Sequence, residues 1–391
     1  MPRFEPFAAV RYAADRVALG DVVAPPYDVV GPEERAALEA RSPYNVVHVD
    51  LGRDGGEAGP YEAARGRMEE WLASGVLRRD PEPGFYAYRM GWRTPAGEAR
   101  QTSGVMGLLA LDGGAGEVLP HERTMAKPLG DRLQQLRTCR ANVSAIWALS
   151  LAEGLGALSA ADGPPLARCT DDDGVHHRLW RVTAPALVEA IRSTVAAAPV
   201  VIADGHHRYE TALAYRAEQA GPGPHDYLLA YVTGLADGDL GVGAIHRLLS
   251  GLPPGFSPVE QLAGHFEPEP AGHPAEAVAE WGPASGGPLL VVGEQAWRLP
   301  PRPGAGDGAW ADSERLEEAM RGFPHHDLAF TSDVASALAL VEKGEAQAAV
   351  LVRPVGVDGI AAAARAGRRL PEKTTYFFPK PRTGVVIRSL D

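Results

Sequence analysis

Short apolar runs alternate with stretches of helical period along most of the chain, and the two patterns predict a mixture of strands and helices. Val22-Val23-Ala24 runs into Pro25-Pro26-Tyr27-Asp28, a stiff turn. Pro32 with Glu33 and Glu34 behind it marks a helix start over residues 32–40. Proline suits the first helical turn, and acidic side chains suit the positive end of the helix. Residues 45–49 (NVVHV) read as a strand, 61–74 as a helix stopped at Gly75, and 85–88 as a strand that turns back at 94–97. The apolar runs 104–111 and 143–151 predict buried strands, with a helix over 131–140 between them. Helix 185–197, strand 199–203, helix 209–220 and strand 226–234 then follow in close succession. Proline and glycine crowd residues 251–308, where strands are expected at 289–292 and 296–299. Helix 334–343, strand 348–353 and helix 357–366 complete the pattern. This order predicts an α+β (mixed α/β) architecture in three parts, 1–103, 104–250 and 251–391.

Composition narrows the function classes. The 391-residue chain is 45% apolar and 23% charged, enough for a substantial core. Apolar runs fall short of the roughly eighteen residues that a spanning helix needs. The N-terminal stretch MPRFEPFAAVRYAADRVALGD has no continuous apolar core and carries acidic residues early, so no secretory signal is read and a cytoplasmic location is expected. Cys139 and Cys169 are the only cysteines and lack metal-ligand spacing, so free thiols are expected. The net charge of −12 disfavours nonspecific nucleic-acid binding, although a local cationic pocket for a small anion stays open.

The segment VVIADGHHRYETALAY carries the candidate chemistry. An apolar strand ends at Asp204, Gly205 permits a tight turn with positive φ, and His206, His207 and Arg208 fall where a helix begins. A helix start offers backbone N–H groups and the positive end of the dipole, and Arg208 adds a fixed cation. Together they suit a phosphate. Asp204 is placed to hold a metal ion or a substrate amine or hydroxyl. The plainer alternative is that Asp204 caps the helix and the histidines lie on the surface.

DGHHRYETA closely resembles the signature of domain-of-unknown-function family 1015. APPYDVV at 24–30, LPHERT at 119–124, DRLQQLRTCRANVSAIW at 131–147 and LPEKTTYFFPKPRTG at 370–384 match the same pattern, so the resemblance spans nearly the whole chain. More distantly, Asp-Gly-His-x-Arg opening a helix resembles the ParB/sulfiredoxin-like fold, within which free-serine kinases carry Asp-Gly-His-Thr-Arg. The resemblance implies a ParB/sulfiredoxin-like core flanked by further α/β segments, with this run binding phosphates and substrate and a separate glutamate acting as base. Sulfiredoxins carry a cysteine at the matching turn. Gly205-His206-His207-Arg208 has none, which argues against sulfinic acid reduction.

A second cluster follows in His121-Glu122-Arg123-Thr124, Lys127, Asp131 and Arg132. Glu122 is a candidate general base, and Lys127 and Arg132 are candidate phosphate ligands; a solvated charged loop is the plainer account. Asn142 is a weaker candidate for a polar contact. His176-His177-Arg178 reads as a surface turn, His325-His326-Asp327 lacks metal-ligand spacing, and His246-Arg247 is either pocket-facing or structural. Lys373, Tyr376 and Lys380 either pack the C-terminal strand or close the site. With no P-loop and no GxGxxG in the right context, nucleotide binding needs the unconventional site that the resemblance supplies. The expected function is a small-molecule kinase using ATP or ADP with Mg²⁺. It would phosphorylate a free amino acid, serine first, with Glu122, Asp204 and His206 catalytic and Gly205, His207, Arg208, Lys127 and Arg132 binding the nucleotide. No residue is assigned to the metal. A ParB-like nucleotide-binding regulator and a phosphate-ester hydrolase are the alternatives.

Overall fold

The computed structural model describes residues 1–53, 59–94, 97–111, 116–123, 127–161, 163–235, 240–304 and 311–391, without the side chains of 127–129. The protein is a mixed α/β chain with two compact units. The first comprises Met1–Pro120, Thr124–Leu240 and Pro379–Asp391, the second His121–Arg123 and Gly241–Phe378. This division differs from the three parts expected. A boundary at 103/104 falls inside strand Ala99–Ala110, which pairs on both sides and cannot be split without breaking two ladders. The last residues return to the first unit, where Arg388–Ser389 pairs with Ala141–Asn142 and Ile387 bridges Val10.

The first unit is built on a sheet with nine strands among the described residues. Its order begins Val118–Pro120, Val200–Asp204, Ile146–Ser150, Tyr227–Gly234, Ala99–Ala110 and Phe85–Arg93, and ends at His176–Val182 and Ala167–Thr170. Val200–Asp204 runs parallel to Val118–Pro120 and antiparallel to Ile146–Ser150, so the sheet is mixed. Ile146, Ala148, Val200, Ile202 and Val232 pack against Ile191 and Val195 of helix Pro185–Ala196 and Tyr209 and Ala212 of helix His206–Ala217. These apolar strands are buried through the centre of the sheet, which explains their near-continuous Val/Ile/Ala composition.

A smaller core gathers Val10, Val22, Leu38, Val46, Val47, Met68 and Trp71. Here the sequence misleads at one point. Residues 45–49 form no strand; Val47–Asp50 is a short helix. Asn45 is the cause, because its Oδ1 accepts from the Val47 N–H at 3.0 Å and its amide donates to the Asp21 carbonyl at 2.8 Å. A buried asparagine that bonds its own downstream backbone favours a turn over a ladder.

His176-His177-Arg178 is the second correction. It is the start of strand His176–Val182, paired on both sides. The strand's period of two places His176 and Arg178 outward and His177 inward, where it is 1% exposed. Its ring bonds Tyr88 Oη at 2.6 Å and Asp171 Oδ2 at 2.7 Å, and Asp171 also accepts from Arg382. This histidine is a structural tie within the unit.

In the second unit an antiparallel sheet, six-stranded among the described residues, carries a core on each face. Leu290 and Val350 face Leu316 of helix Asp312–Met320, whereas Leu289, Val291 and Ala349 face Ala337 and Val341 of helix Val334–Glu342. Strands Gly241–Ala244 and Thr375–Phe378 form a separate antiparallel pair. No helix among the described residues is long and apolar enough to cross a membrane. Cys139 and Cys169 form no disulfide.

Candidate functional site

The turn between strand Val200–Asp204 and the twelve-residue helix His206–Ala217 has the shape the sequence predicts. Gly205 sits at the helix start with φ 95°. A Cβ there would stand 2.9 Å from Ile146 Cγ2 and 3.0 Å from Arg208 Nε. Both the backbone angle and the close approach require glycine. Gly205→Ala is therefore expected to lose about 1–3 kcal/mol of stability, read as a lower denaturant midpoint at unchanged slope.

Asp204 is the centre of a buried charge cluster. One carboxylate oxygen accepts from Arg208 and the other from Lys380. The three side chains are only 11–13% exposed. Arg208 is fixed further by donating to Ser144 Oγ at 2.6 Å and to the Ala145 carbonyl. Burial pushes the Asp204 carboxyl up, but Lys380 and then Arg208 override it and hold the group well below the usual carboxylate range. Burial pushes Lys380 and Arg208 down, but Asp204 and Asp28 together raise Lys380, and Asp204, Asp28, Tyr27 and Asp50 together raise Arg208. His206 is buried and His207 half-buried in the first helical turn.

A small cavity of about 60 Å³, partly open to solvent, lies beside this cluster in the same unit. Its walls include Tyr27, Asp50, Arg132, Ser144, Arg208 and Thr211. Five segments far apart in sequence meet here, and three of them are pieces that carry the family resemblance: APPYDVV through Tyr27, DRLQQLRTCRANVSAIW through Arg132 and Ser144, and DGHHRYETA through Arg208 and Thr211. Arg132 lies 4.6 Å from the centroid of the Tyr27 ring, donates to the Asp50 carbonyl at 2.8 Å and pairs with Asp131. Burial pushes the Tyr27 phenol up to about 12 and the Asp50 carboxyl upward too, the latter against Arg132 and Arg208. Thr211 Oγ1 is buried and has no hydrogen-bond partner among the described residues.

The expected residues thus divide. Asp204, Gly205, His206, His207, Arg208 and Arg132 belong to the first unit, and Arg132 and Arg208 line one cavity. The side chain of Lys127 and residue Thr124 lie outside the described part of the chain. Glu122 belongs to the second unit, where its Oε1 accepts from the Thr375 N–H at 2.7 Å and from Thr375 Oγ1 at 2.5 Å. The Glu122 backbone also bridges Leu370, so backbone and carboxylate together tie this residue to the 370–375 segment of its own unit. Lys380 pairs with Asp204, whereas Arg247 is structural, donating to the carbonyls of Lys373 and Glu372 at 2.8 and 3.2 Å. Asn142 Oδ1 accepts from Arg388 at 3.2 Å, and Asn142 lines the same cavity.

Sequence reasoning passed over Asp50 and Thr211. Asp50 was hidden by the strand expected just before it, and Thr211 by an ordinary helical pattern. The donor set does not fit a resident metal ion. No group of three or more His, Cys, Asp or Glu among the described residues is placed to hold one, and both Asp204 oxygens already face cations.

A family model described as "Protein of unknown function (DUF1015)" matches residues 4–305. Among solved structures, a conserved hypothetical protein from Pyrococcus furiosus is similar at 15% identity and a TM-score of 0.41, over 69% of this chain and 89% of that one. A free serine kinase in complex with AMP is similar at 16% identity and a TM-score of 0.41, over 69% and 86%. SbnI with a C-terminal truncation, from Staphylococcus aureus, gives 10% identity and 0.41 over 71% and 85%. At this distance the three likenesses carry no functional argument. No curated protein matches the chain.

Proposed function

The chain belongs to the DUF1015 family, and we propose that it is a small-molecule kinase that takes a phosphoryl group from ATP or ADP and places it on the hydroxyl of a free amino acid, serine first. The observation that carries this reading is the convergence at one turn of a helix start, a buried Arg208 and a buried Lys380, beside a cavity. Phosphoryl transfer asks chiefly for positioning and charge neutralisation. The helix dipole and Arg208 meet phosphate oxygens, and Asp204 keeps both cations in fixed orientation before any ligand arrives. His206 and His207, in the first turn, flank that position. The acceptor comes from the resemblance of Asp204-Gly205-His206-His207-Arg208 to the Asp-Gly-His-Thr-Arg run of free-serine kinases.

Incubating the purified chain with ATP or ADP, Mg²⁺ and a pool of amino acids, then analysing the pool by mass spectrometry, tests the proposal. Phosphoserine, or one other phosphorylated amino acid, is expected to accumulate with time and enzyme. An unchanged pool would contradict it. One observation favours a second reading, nucleotide binding without transfer: both Asp204 oxygens are occupied by cations, leaving that carboxylate no part in holding a metal. An unchanged pool together with tight ADP binding in a titration would establish that reading instead.

A further inference from the structure

We infer that the cavity lined by Tyr27, Asp50 and Thr211 is the seat of the phosphoryl acceptor, a small hydroxyl-bearing molecule, and that Asp50 takes the acceptor's proton. This rests on the kinase reading above and assigns that reading a base.

Asp50 ends the short helix Val47–Asp50, is 5% exposed and lines the cavity. Its backbone is clamped, because its carbonyl accepts from Arg132 at 2.8 Å and from Gln135 at 3.1 Å, and Gln135 also donates to the Val49 carbonyl at 2.8 Å. Its Oδ1 lies 3.3 Å from Arg132 Nη1, a long contact, and Gln135 also bonds the carboxylate and favours its ionised form. In the same cavity, Thr211 Oγ1 is buried and unpartnered among the described residues. Buried hydroxyls are nearly always satisfied, so one left without a partner on a cavity wall points to a polar group of a ligand. Ser144, on the same wall, holds Arg208, which ties this cavity to the cation placed for the phosphate.

The charged and titratable groups around Asp50 are Arg132 and Arg208, which favour its ionised form, and Asp28, which disfavours it. Asp50 in turn weighs on Tyr27 and Cys139. Burial exceeds the arginines, so the carboxyl lies above the ordinary carboxylate value, where a general base works better near neutrality. The acceptor O–H gives its proton to the Asp50 carboxylate, and the oxygen's electron pair forms the bond to the terminal phosphorus. The bond from that phosphorus to the leaving nucleotide oxygen breaks, and its electron pair stays on that oxygen. The products are a phosphate monoester and a nucleotide shortened by one phosphoryl group. The proton on Asp50 then passes to solvent.

The test uses the full chain with ADP or ATP, Mg²⁺ and L-serine. Asp50→Asn keeps the shape and is expected to lower kcat by roughly 10²–10⁴ while ADP affinity stays within about threefold. Thr211→Val is expected to raise the acceptor KM about tenfold with a smaller change in kcat, the loss of about one ligand hydrogen bond. A folded Asp50→Asn protein with parental turnover would overturn the proposal, as would a Glu122→Gln variant that loses more turnover than Asp50→Asn. If Asp50→Asn fails to fold, the wild-type pH profile decides. The acceptor kcat/KM should rise with pH through a step above about 3.9, the ordinary aspartate value, and a profile flat from pH 4 to pH 8 would overturn it. Tight ADP binding with no phosphorylated product from any hydroxyl acceptor removes the kinase reading, and this one falls with it.

Discussion

Asp204→Ala is expected to destabilise the first unit by about 3–5 kcal/mol, the cost of leaving a buried charge without its partner. Two cations, Arg208 and Lys380, depend on this one carboxylate, and none of the three side chains is more than 13% exposed. Solvent therefore cannot take over as counter-charge. Near the melting midpoint of a unit this size, that loss corresponds to roughly 6–20 °C in Tm. The same carboxylate gives stability a pH dependence of known sign. Its pKa in the folded protein is depressed, so the stabilisation is fully present above the unfolded value of about 3.9 and is lost as pH falls below it. Wild-type protein should lose stability more steeply than Asp204→Ala from about pH 4 downward, so that the two Tm curves converge in acid. Parallel curves would show that Asp204 is not the linked group.

Arg208→Ala is expected to weaken ADP binding roughly 10- to 100-fold, the range for removing a charge-assisted hydrogen bond. Arg178→Ala should change it less than about twofold. Both arginines follow a His-His pair, so composition cannot separate them. Their settings can. Arg208 opens a helix and is fixed by Asp204, Ser144 and Ala145, whereas Arg178 projects outward from strand His176–Val182. A guanidinium already held in place loses little entropy when a phosphate binds. Calorimetric titration of the two variants, each shown to be folded by circular dichroism, measures the difference. Equal affinities would mean that the helix start does not receive the phosphate.

The turn at Asp204–Arg208 was legible because its signals are local. An apolar run of three, a glycine at φ 95° and a helical pattern after it lie within a few residues of one another. The helices and strands around it were legible for the same reason. What escaped depends on pairs far apart in the chain. Lys380 reaches Asp204 across 176 positions and Thr375 reaches Glu122 across 253, so no local pattern announces either. His177 was missed differently. Two adjacent histidines and an arginine look solvated, but a strand paired on both sides turns the middle one into the core. At Asn45 one side chain overrode the β-branched run behind it, and that error concealed Asp50 as well. The cavity itself became visible only when separate segments met around it.

A crystal structure of the chain with ADP would locate the phosphates without requiring turnover. The terminal phosphate is expected at the start of helix His206–Ala217, with oxygens within hydrogen-bond distance of the first turn or Arg208, and the cavity of Tyr27, Asp50 and Thr211 left for the acceptor. ADP ordered at any other place, with that helix start bare, would contradict it.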